Sequence, residues 1–187
     1  MTKKAFFLFL FFSLFISGCA TTRGGNPQEK RAAVQDMKHE VLNDLYKVNP
    51  QAKSEISTAP GYAVFSNANV NLILASFGGG YGVVENKNNG ANTYMKMGEI
   101  GLGLGLGVKD FRAVLVFKNE KAMHQFVNKG WEFGGSADAA AKAGEKGAAV
   151  GGEVVIDDVK IYQLTKSGLA LQATLKGTKF WKDKALN

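Results

Sequence analysis

The stretch MGEIGLGLGLGVKDFRAVLVF, residues 97 to 117, has the most regular pattern in this chain. Between residues 100 and 108, an aliphatic side chain occupies every even position and glycine occupies every odd one. A strict period of two is the spacing of a β-strand, in which successive residues point to opposite faces. We therefore predict a strand with one apolar face and one face of bare backbone.

A second strand follows this one directly. Two polar residues, Lys109 and Asp110, precede a run from Phe111 to Phe117 whose two faces are both largely apolar. Apolar side chains on both faces are typical of a strand in the middle of a sheet. The pattern predicts a hairpin between residues 94–108 and 111–118, with a central and buried return strand.

The four alternating glycines of residues 101–107 require a physical explanation. Glycine in a strand interior weakens the strand, so four in alternation imply that something approaches the backbone closely. Another segment of the protein is the expected neighbour, because strand glycines usually mark bends, bulges or tight packing. A ligand groove for a group such as an acyl chain is the alternative.

The N-terminus predicts export. Lys3 and Lys4 precede a hydrophobic run at residues 5–16, which suits a signal peptide and is too short to cross a bilayer as a helix. The next residues, Ile-Ser-Gly-Cys at 16–19, resemble the lipobox of bacterial lipoproteins. That resemblance implies cleavage before Cys19 and attachment of a diacylglycerol to its thiol.

These features divide the chain into a signal peptide (1–18), a lipidated tether (19–26) and one domain (27–187). The alternative is an ordinary signal cleavage site with a chance cysteine, but Cys19 is the only cysteine in the chain. Disulfides are therefore excluded despite the export. Ala20 stands where inner-membrane lipoproteins often have aspartate, so the resemblance favours the outer membrane, with the domain facing the periplasm.

The charge balance is basic, with a formal net charge of +7. A basic chain can bind nucleic acid or an anionic membrane surface, or its charge can serve solubility alone. Export argues against nucleic acid, and lysine carries nearly all of the positive charge, with arginine only at positions 23, 31 and 112. Lysine suits a general attraction to phosphates better than planar bidentate recognition.

Helix signals begin at Asn26, a good N-cap, which Pro27 and Glu29 follow in the first turn. One apolar stripe at helical spacing then continues to Val48, and Asn49 with Pro50 ends it. Acidic residues interleave with the basic ones, so we expect this helix to pack on the sheet and not to lie on an anionic membrane.

The remaining segments predict mostly strands. Short helices are expected at residues 50–58 and after the N-cap Asn119. Strands are expected at residues 61–66, within 72–86, and at 153–156, 159–164 and 169–175. Residues 133–152, rich in glycine and alanine, are left unassigned. The predicted fold class is α+β, mainly an antiparallel sheet (a sandwich or a partly closed barrel) with an N-terminal helix and one short inserted helix.

The order of five motifs resembles the SYLF domain family. The matching stretches are GYAVFS (61–66), GGGYGVVEN (78–86), VLVFKNEKAMHQF (114–126), FGGSADAAA (133–141) and YQLTKSGLALQATLKGT (162–178). The resemblance implies a lipid-binding module. Eukaryotic members of the family bind phosphoinositides and some bind actin filaments, whereas bacterial members are commonly exported lipoproteins.

Catalytic chemistry finds little support in the sequence. The alternating glycines never give the GxGxxG spacing, and no nucleophile elbow is present. His39 and His124 are the only histidines, and neither has a second histidine at metal-binding spacing. Asp157 and Asp158 are better explained as turn residues than as a catalytic pair. We therefore expect no enzyme activity, no cofactor and no metal.

The candidate lipid-contact residues lie in the C-terminal segment LKGTKFWKDKALN, residues 175–187. Two aromatic residues stand among four lysines: Lys176, Lys179, Phe180, Trp181, Lys182 and Lys184. Aromatic rings favour the headgroup boundary, and lysines are attracted to anionic phosphates. Alternatively, the two aromatic side chains plug the end of the sheet and the lysines are ordinary solvated charges.

Two functions remain open. In the first, an outer-membrane lipoprotein binds phospholipid or another anionic amphiphile. In the second, a structural or adaptor lipoprotein binds envelope proteins that the sequence does not identify, and has no lipid ligand beyond its own anchor.

Overall fold

The computed structural model describes residues 25–72, 75–101, 107–132, 153–156, 158–165, 168–169 and 178–187. The predicted signal peptide, Cys19 and most of the tether lie outside these residues, as do residues 102–106 of the glycine face and residues 133–152.

Helix α1, Pro27–Val48, begins where its sequence signals place it. The Asn26 side chain accepts a hydrogen bond of 2.9 Å from the Glu29 backbone N–H, and the Glu29 carboxylate accepts one of 2.7 Å from the Gly25 N–H. These reciprocal bonds satisfy backbone donors that the first turn leaves without partners. The predicted apolar stripe is buried through Leu45, so α1 packs against the sheet as expected.

Two shorter helices also confirm their sequence predictions. Helix α2, Gln51–Thr58, follows α1 directly. Helix α3, Glu120–Lys129, begins after Asn119, whose side chain accepts a hydrogen bond from the Ala122 N–H, and ends at Gly130 with a φ of +70°. A positive φ favours glycine, so the sequence ends α3 at a defined residue.

Nine strands are present in the part of the chain that the structure describes. They are β1 (Gly61–Leu72), β2 (Ala75–Asn86), β3 (Ala91–Gly101), β4 (Gly107–Phe117), β5 (Trp131–Glu132), β6 (Glu153–Ile156), β7 (Val159–Thr165), β8 (Gly168–Leu169) and β9 (Thr178–Lys182). They form one antiparallel sheet in the order β5-β9-β3-β2-β1-β4-β7-β6, with β8 also paired to β7. The described strands give an open sheet, and the predicted α+β class is confirmed.

The predicted hairpin between residues 94–108 and 111–118 is wrong. Strand β3 pairs with β2 and β9, whereas β4 pairs with β1 and β7, so two strands lie between them. Lys109 and Asp110 form no turn, because they pair with Asn69 and Ala68 inside β4. The order β3-β2-β1-β4 is that of a Greek key, in which the fourth strand returns beside the first. The prediction of a central, buried return strand is confirmed for β4.

The two faces of the sheet carry separate cores. The α1-side core packs the two N-terminal helices on the sheet, and its residues include Val34, Val41, Leu45, Ile56, Tyr62, Val64, Val83, Val114, Val116 and Tyr162. The α3-side core lies on the opposite face, and its residues include Phe65, Met95, Met97, Leu115, Phe117, Met123, Phe126, Ile161 and Phe180. Strand β4 contributes alternate residues to both cores, which explains its apolar character on both faces.

Candidate functional site

Strand β9 lies near one edge of the sheet, between β3 and the two-residue strand β5. Its register places Phe180 opposite Met97 and Trp181 opposite Lys96 on β3. Neighbouring residues of a strand face opposite sides, so the two aromatic side chains occupy different environments. Phe180 is 2% exposed in the α3-side core, whereas Trp181 is 41% exposed.

Phe180 holds β9 in the fold. Its ring lies 4.7 Å from the Phe65 ring and 5.4 Å from the Phe126 ring, between centroids. These contacts join β9 to β1 and to α3, at distances typical of favourable aromatic pairs. Phe180 therefore fixes the position of the strand that carries Trp181.

Trp181 lies over bare backbone on the other face of the sheet. A Cβ built on Gly98 of β3 would lie 3.1 Å from Cη2 of the indole, so a larger residue there would push the ring outward by a few tenths of an ångström. The indole is thus supported from below while much of its surface faces solvent.

Four exposed lysines lie on β9, on the neighbouring strand β3 or in the turn that follows β9: Lys96, Lys179, Lys182 and Lys184. Lys96 and Lys179 share the sheet face of Trp181, whereas Lys182 faces the α3 side. The Lys182 ammonium donates a hydrogen bond of 3.2 Å to the Asn128 side chain on α3. The Lys96 ammonium lies 3.4 Å from the carboxylate of Asp183, which is 8% exposed. We call Lys96, Lys179, Trp181, Lys182 and Lys184 the tryptophan–lysine surface. Lys176 and Cys19 lie outside the described residues.

The C-terminal turn ties this surface to α1. The Asp183 backbone N–H donates to the Tyr94 carbonyl at 3.0 Å, and the Asn187 side-chain amide donates to the same carbonyl at 2.7 Å. The Arg31 Nε of α1 donates to the Leu186 carbonyl at 2.8 Å, and its guanidinium carbon lies 5.9 Å from the centre of the Tyr94 ring. The turn is thereby held between β3 and the first turns of α1.

A part-buried ionic cluster fixes the middle of α1 on the sheet. The Glu85 carboxylate of β2 accepts hydrogen bonds of 2.8 Å from the Lys38 ammonium and from the Tyr62 hydroxyl. Burial alone would raise the pKa of Glu85, but these two hydrogen bonds and the charge of Lys38 outweigh it and hold the pKa below its ordinary value. Burial and the bond to Glu85 raise the pKa of Tyr62.

A second cluster of the same composition fixes α2. The Glu55 carboxylate accepts a hydrogen bond of 2.8 Å from the Lys160 ammonium and one of 2.6 Å from the Tyr162 hydroxyl, both on β7. Burial opposes ionisation of Glu55, but the bonds from Lys160 and Tyr162 prevail and its pKa is lowered. Burial and the bond to Glu55 raise the pKa of Tyr162 to about 12.

Both clusters are explained by helix attachment. In the Glu55 cluster the lysine and the tyrosine each bond one carboxylate oxygen, whereas in the Glu85 cluster both donate to the same oxygen. In both, a charged and a neutral donor stabilise the carboxylate at a packed interface. Within the described ranges, no three His, Cys, Asp or Glu residues are grouped as metal ligands would be. None of the described helices combines the length and the apolar character that crossing a bilayer requires.

Lys87, in the turn that follows β2, has a structural role. Its ammonium donates to the carbonyls of Ile56 and Ser57 in the last turn of α2. A cation there stabilises carbonyls that have no partner within the helix. Lys87 is therefore engaged away from β9.

Sequence reasoning missed Lys96 and Gly98 as members of the site region. The alternation of Met95, Lys96 and Met97 does signal that Lys96 faces away from the core. No local pattern, however, indicates that β3 pairs with a strand some eighty positions later, as the register of Lys96 with Trp181 shows. Such pairing depends on tertiary packing.

Comparison with known proteins identifies the family. Residues 98–187 match the family model described as "Ysc84: Las17-binding protein actin regulator". The chain is also 35% identical over 159 residues to "Beta cell expansion factor A" of Aeromonas veronii, an alignment that covers 85% of this chain and 59% of that relative. The chain thus spans less than two thirds of the relative's length. Together with the five motifs, these matches show that the chain carries a SYLF domain and belongs to the Ysc84 (SYLF) family.

Proposed function

We propose that this protein is a lipid-anchored component of a bacterial outer membrane whose SYLF domain binds anionic phospholipid through the tryptophan–lysine surface. In this proposal the domain is a binding module without catalytic activity, cofactor or nucleic-acid partner. The observation that carries the proposal is the exposed Trp181 ring, 41% exposed, on a strand that the buried Phe180 holds in place.

The chemistry of this surface suits a membrane boundary. Tryptophan prefers the headgroup region because its ring is apolar and its N–H is polar. A lysine near an anionic surface contributes about 1 kcal/mol, so several together give binding that salt weakens. Ordinary solvated lysines would show the same charges but would not need an exposed indole between them.

The anchor rests on the N-terminal sequence. The run Ile-Ser-Gly-Cys at 16–19 supports acylation of Cys19, and Ala20 supports transfer to the outer membrane. Several acyl chains hold a protein on a bilayer stably, whereas one chain binds only marginally. The domain would then face the periplasm at a short distance from the headgroups.

The test compares two triple variants of the unlipidated chain, residues 20–187. In the first, Lys179, Lys182 and Lys184 are replaced by glutamine. In the matched control, three exposed lysines away from β9 are replaced in the same way: Lys47, Lys53 and Lys118. Both variants lose three positive charges, so a difference between them reports position and not net charge.

Binding is measured by sedimentation with vesicles that contain phosphatidylglycerol or cardiolipin, at low and moderate salt. We expect the β9 variant to lose most of its binding and the control to keep most of it, with thermal melts showing that both are folded. Equal binding by the two folded variants would reject the tryptophan–lysine surface as the lipid site.

A protein-binding adaptor is the second candidate, and one observation favours it. Val155 on the outermost described strand, β6, is 48% exposed, and an edge strand can accept a strand of another protein. The family model is itself described by the binding of a protein. If the wild-type domain does not sediment with any anionic vesicle, the adaptor becomes the better proposal.

A further inference from the structure

Helix α1 crosses the sheet from one side to the other. From residue 44 back to residue 31, residues of the helix contact strands that lie progressively closer to β9. The contacts are Asp44 with Arg112 of β4 (2.9 Å), Lys38 with Glu85 of β2 (2.8 Å), Gln35 with the Tyr94 hydroxyl of β3 (3.2 Å), and Arg31 with Leu186 beyond β9 (2.8 Å). A helix advances about 1.5 Å per residue and strands lie about 4.8 Å apart, so one strand is crossed every three residues or so.

The N-terminus of α1 therefore lies at the β9 edge of the sheet. Pro27 precedes Arg31 by one turn, which carries the helix about 6 Å further in the same direction. The hydrogen bond from the Gly25 N–H to the Glu29 carboxylate holds Gly25 at this end of the helix. The chain that leads to Cys19 consequently joins the domain beside the C-terminal turn, which also carries Lys184.

From this placement we infer that the tryptophan–lysine surface binds lipid in the same leaflet that holds the protein's own acyl anchor. The inference rests on the proposed function and names its partner: the surface faces the home membrane and does not bridge to a second one. The chain enters the domain at Gly25, at the same edge as the lipid-contact residues, and anchoring through Cys19 would bring that edge toward the headgroups.

The length of the tether supports this orientation. Five residues separate Cys19 from Gly25, so their Cα atoms are six residue steps apart and at most about 20 Å from each other. Lipid in the home leaflet is therefore presented to the surface at a high effective concentration, because a short tether makes the second binding event intramolecular. If the surface faced away from the home membrane, it would not meet lipid at this high effective concentration.

The distribution of charges along α1 favours the same orientation, with the β9 edge toward the home membrane. Lys30 and Arg31 lie near the anchored end, whereas Glu40 and Asp44 lie toward β4 and pair with Arg112 at 3.0 and 2.9 Å. Two of the acids that anionic headgroups would repel thus lie at the far side of the sheet, where Arg112 pairs with both. Besides Glu132 of β5 and Glu99 of β3, whose backbones pair with β9, Glu29 and Asp183 lie near this edge. Hydrogen bonds from the Gly25 and Ala185 N–H groups engage them, and Lys96 lies beside Asp183.

The experiment uses the full lipidated protein reconstituted in vesicles. Trp131→Phe leaves Trp181 as the only tryptophan, and its fluorescence is followed in the presence of a brominated phosphatidylglycerol, which quenches nearby indoles. The quencher is placed either in the vesicles that hold the protein or in separate vesicles added afterwards. If Trp131→Phe impairs folding, the difference between the wild type and Trp181→Phe gives the same information.

We expect loss of Trp181 fluorescence with the quencher in the home vesicles and none with the quencher in added vesicles. Insertion of about twenty Gly and Ser residues after Gly24 should weaken the quenching, because a longer tether lowers the effective concentration. Quenching by added vesicles alone would overturn the inference and leave the proposed function standing. Absence of quenching in both arrangements, with no sedimentation of the unlipidated chain, would overturn both.

Discussion

Phe65 on β1 and Phe180 on β9 meet edge to face, with ring centroids 4.7 Å apart and ring planes at 63°, although β2 and β3 lie between their strands. In a flat sheet those strands would be about 14 Å apart, three times the spacing of neighbours. The sheet therefore coils toward its α3 side. The Phe65 ring also crosses Gly82 of β2, where a Cβ would overlap it.

The first prediction separates the two aromatic residues of β9. Phe180→Ala should lower the free energy of unfolding by about 3 to 5 kcal/mol, the usual cost of removing a buried aromatic ring. Trp181→Ala is the matched control and should cost much less, because its ring is 41% exposed. Chemical denaturation followed by circular dichroism measures both. Similar losses in the two variants would mean that Trp181 is as much a core residue as Phe180.

The helices could be predicted from the sequence because their signals are local. Asn26, Pro27 and Glu29 specify the start of α1 within a few residues, and Asn119 with Gly130 specify both ends of α3. Capping residues act through hydrogen bonds to backbone groups three or four positions away. Such signals do not depend on the rest of the fold.

The strand partners could not be predicted in the same way. The alternation around residue 100 correctly indicates a strand, but β3 and β4 each find partners from other parts of the chain. Burial explains the outcome: β4 is apolar on both faces and pairs with β1, whose residues Val64 and Phe65 also face the two cores. For the same reason, sequence reasoning found Trp181 but not Gly98 beneath it.

The second prediction concerns two glycines of β2. A Cβ built on Gly82 would overlap the Phe65 ring and the Val64 carbonyl, whereas one built on Gly79 meets nothing within 4 Å. Gly82→Ala should therefore destabilise the protein by about 1 to 3 kcal/mol, as overpacking does. Gly79→Ala should be neutral or stabilise it by up to about 1 kcal/mol, since alanine loses less entropy in a strand. Thermal melts of both variants decide the matter, and a stable Gly82→Ala protein would contradict the close contact.

The third prediction concerns the buried lysine of α1. Lys38→Met leaves the Glu85 carboxylate with Tyr62 as its remaining partner in the cluster. A carboxylate that loses a charged partner at a part-buried site should cost about 1 to 3 kcal/mol. Lys47→Met is the control, because its pair with Asp44 is on the surface and worth at most about 1 kcal/mol. Equal urea midpoints for the two variants would show that the Lys38 cluster does not hold α1 on the sheet.

The fourth prediction follows from the pKa directions of the two clusters. The pKa values of Glu55 and Glu85 are lowered from 4.5 in the folded protein, so their contribution to stability is present above that value and is lost as the pH falls through the folded pKa. The raised pKa values of Tyr62 and Tyr162 act at the other end of the scale. Their contribution is present below 10 and is lost as the pH rises through the folded pKa, about 12 for Tyr162.

The melting temperature should therefore fall as the pH drops below about 4.5, the ordinary glutamate pKa. Glu85→Gln should lower the melting temperature at neutral pH. It should also make the melting temperature depend less steeply on pH in acid, because one of the two carboxylates with a lowered pKa is gone. A melting curve that stays constant well below that pH would contradict the assignment of both clusters.

The last prediction concerns the place of the protein in the cell. Cys19→Ser removes the only thiol and with it the group that lipidation requires, so the protein should leave the membrane fraction after a high-salt wash. The wash is needed because the tryptophan–lysine surface can hold an unlipidated chain by salt-sensitive attraction, whereas acyl chains resist salt. Ala20→Ser, next to the cysteine, is the matched control and should stay with the membrane. Retention of Cys19→Ser after the wash would show that the hold on the membrane does not depend on acylation of Cys19.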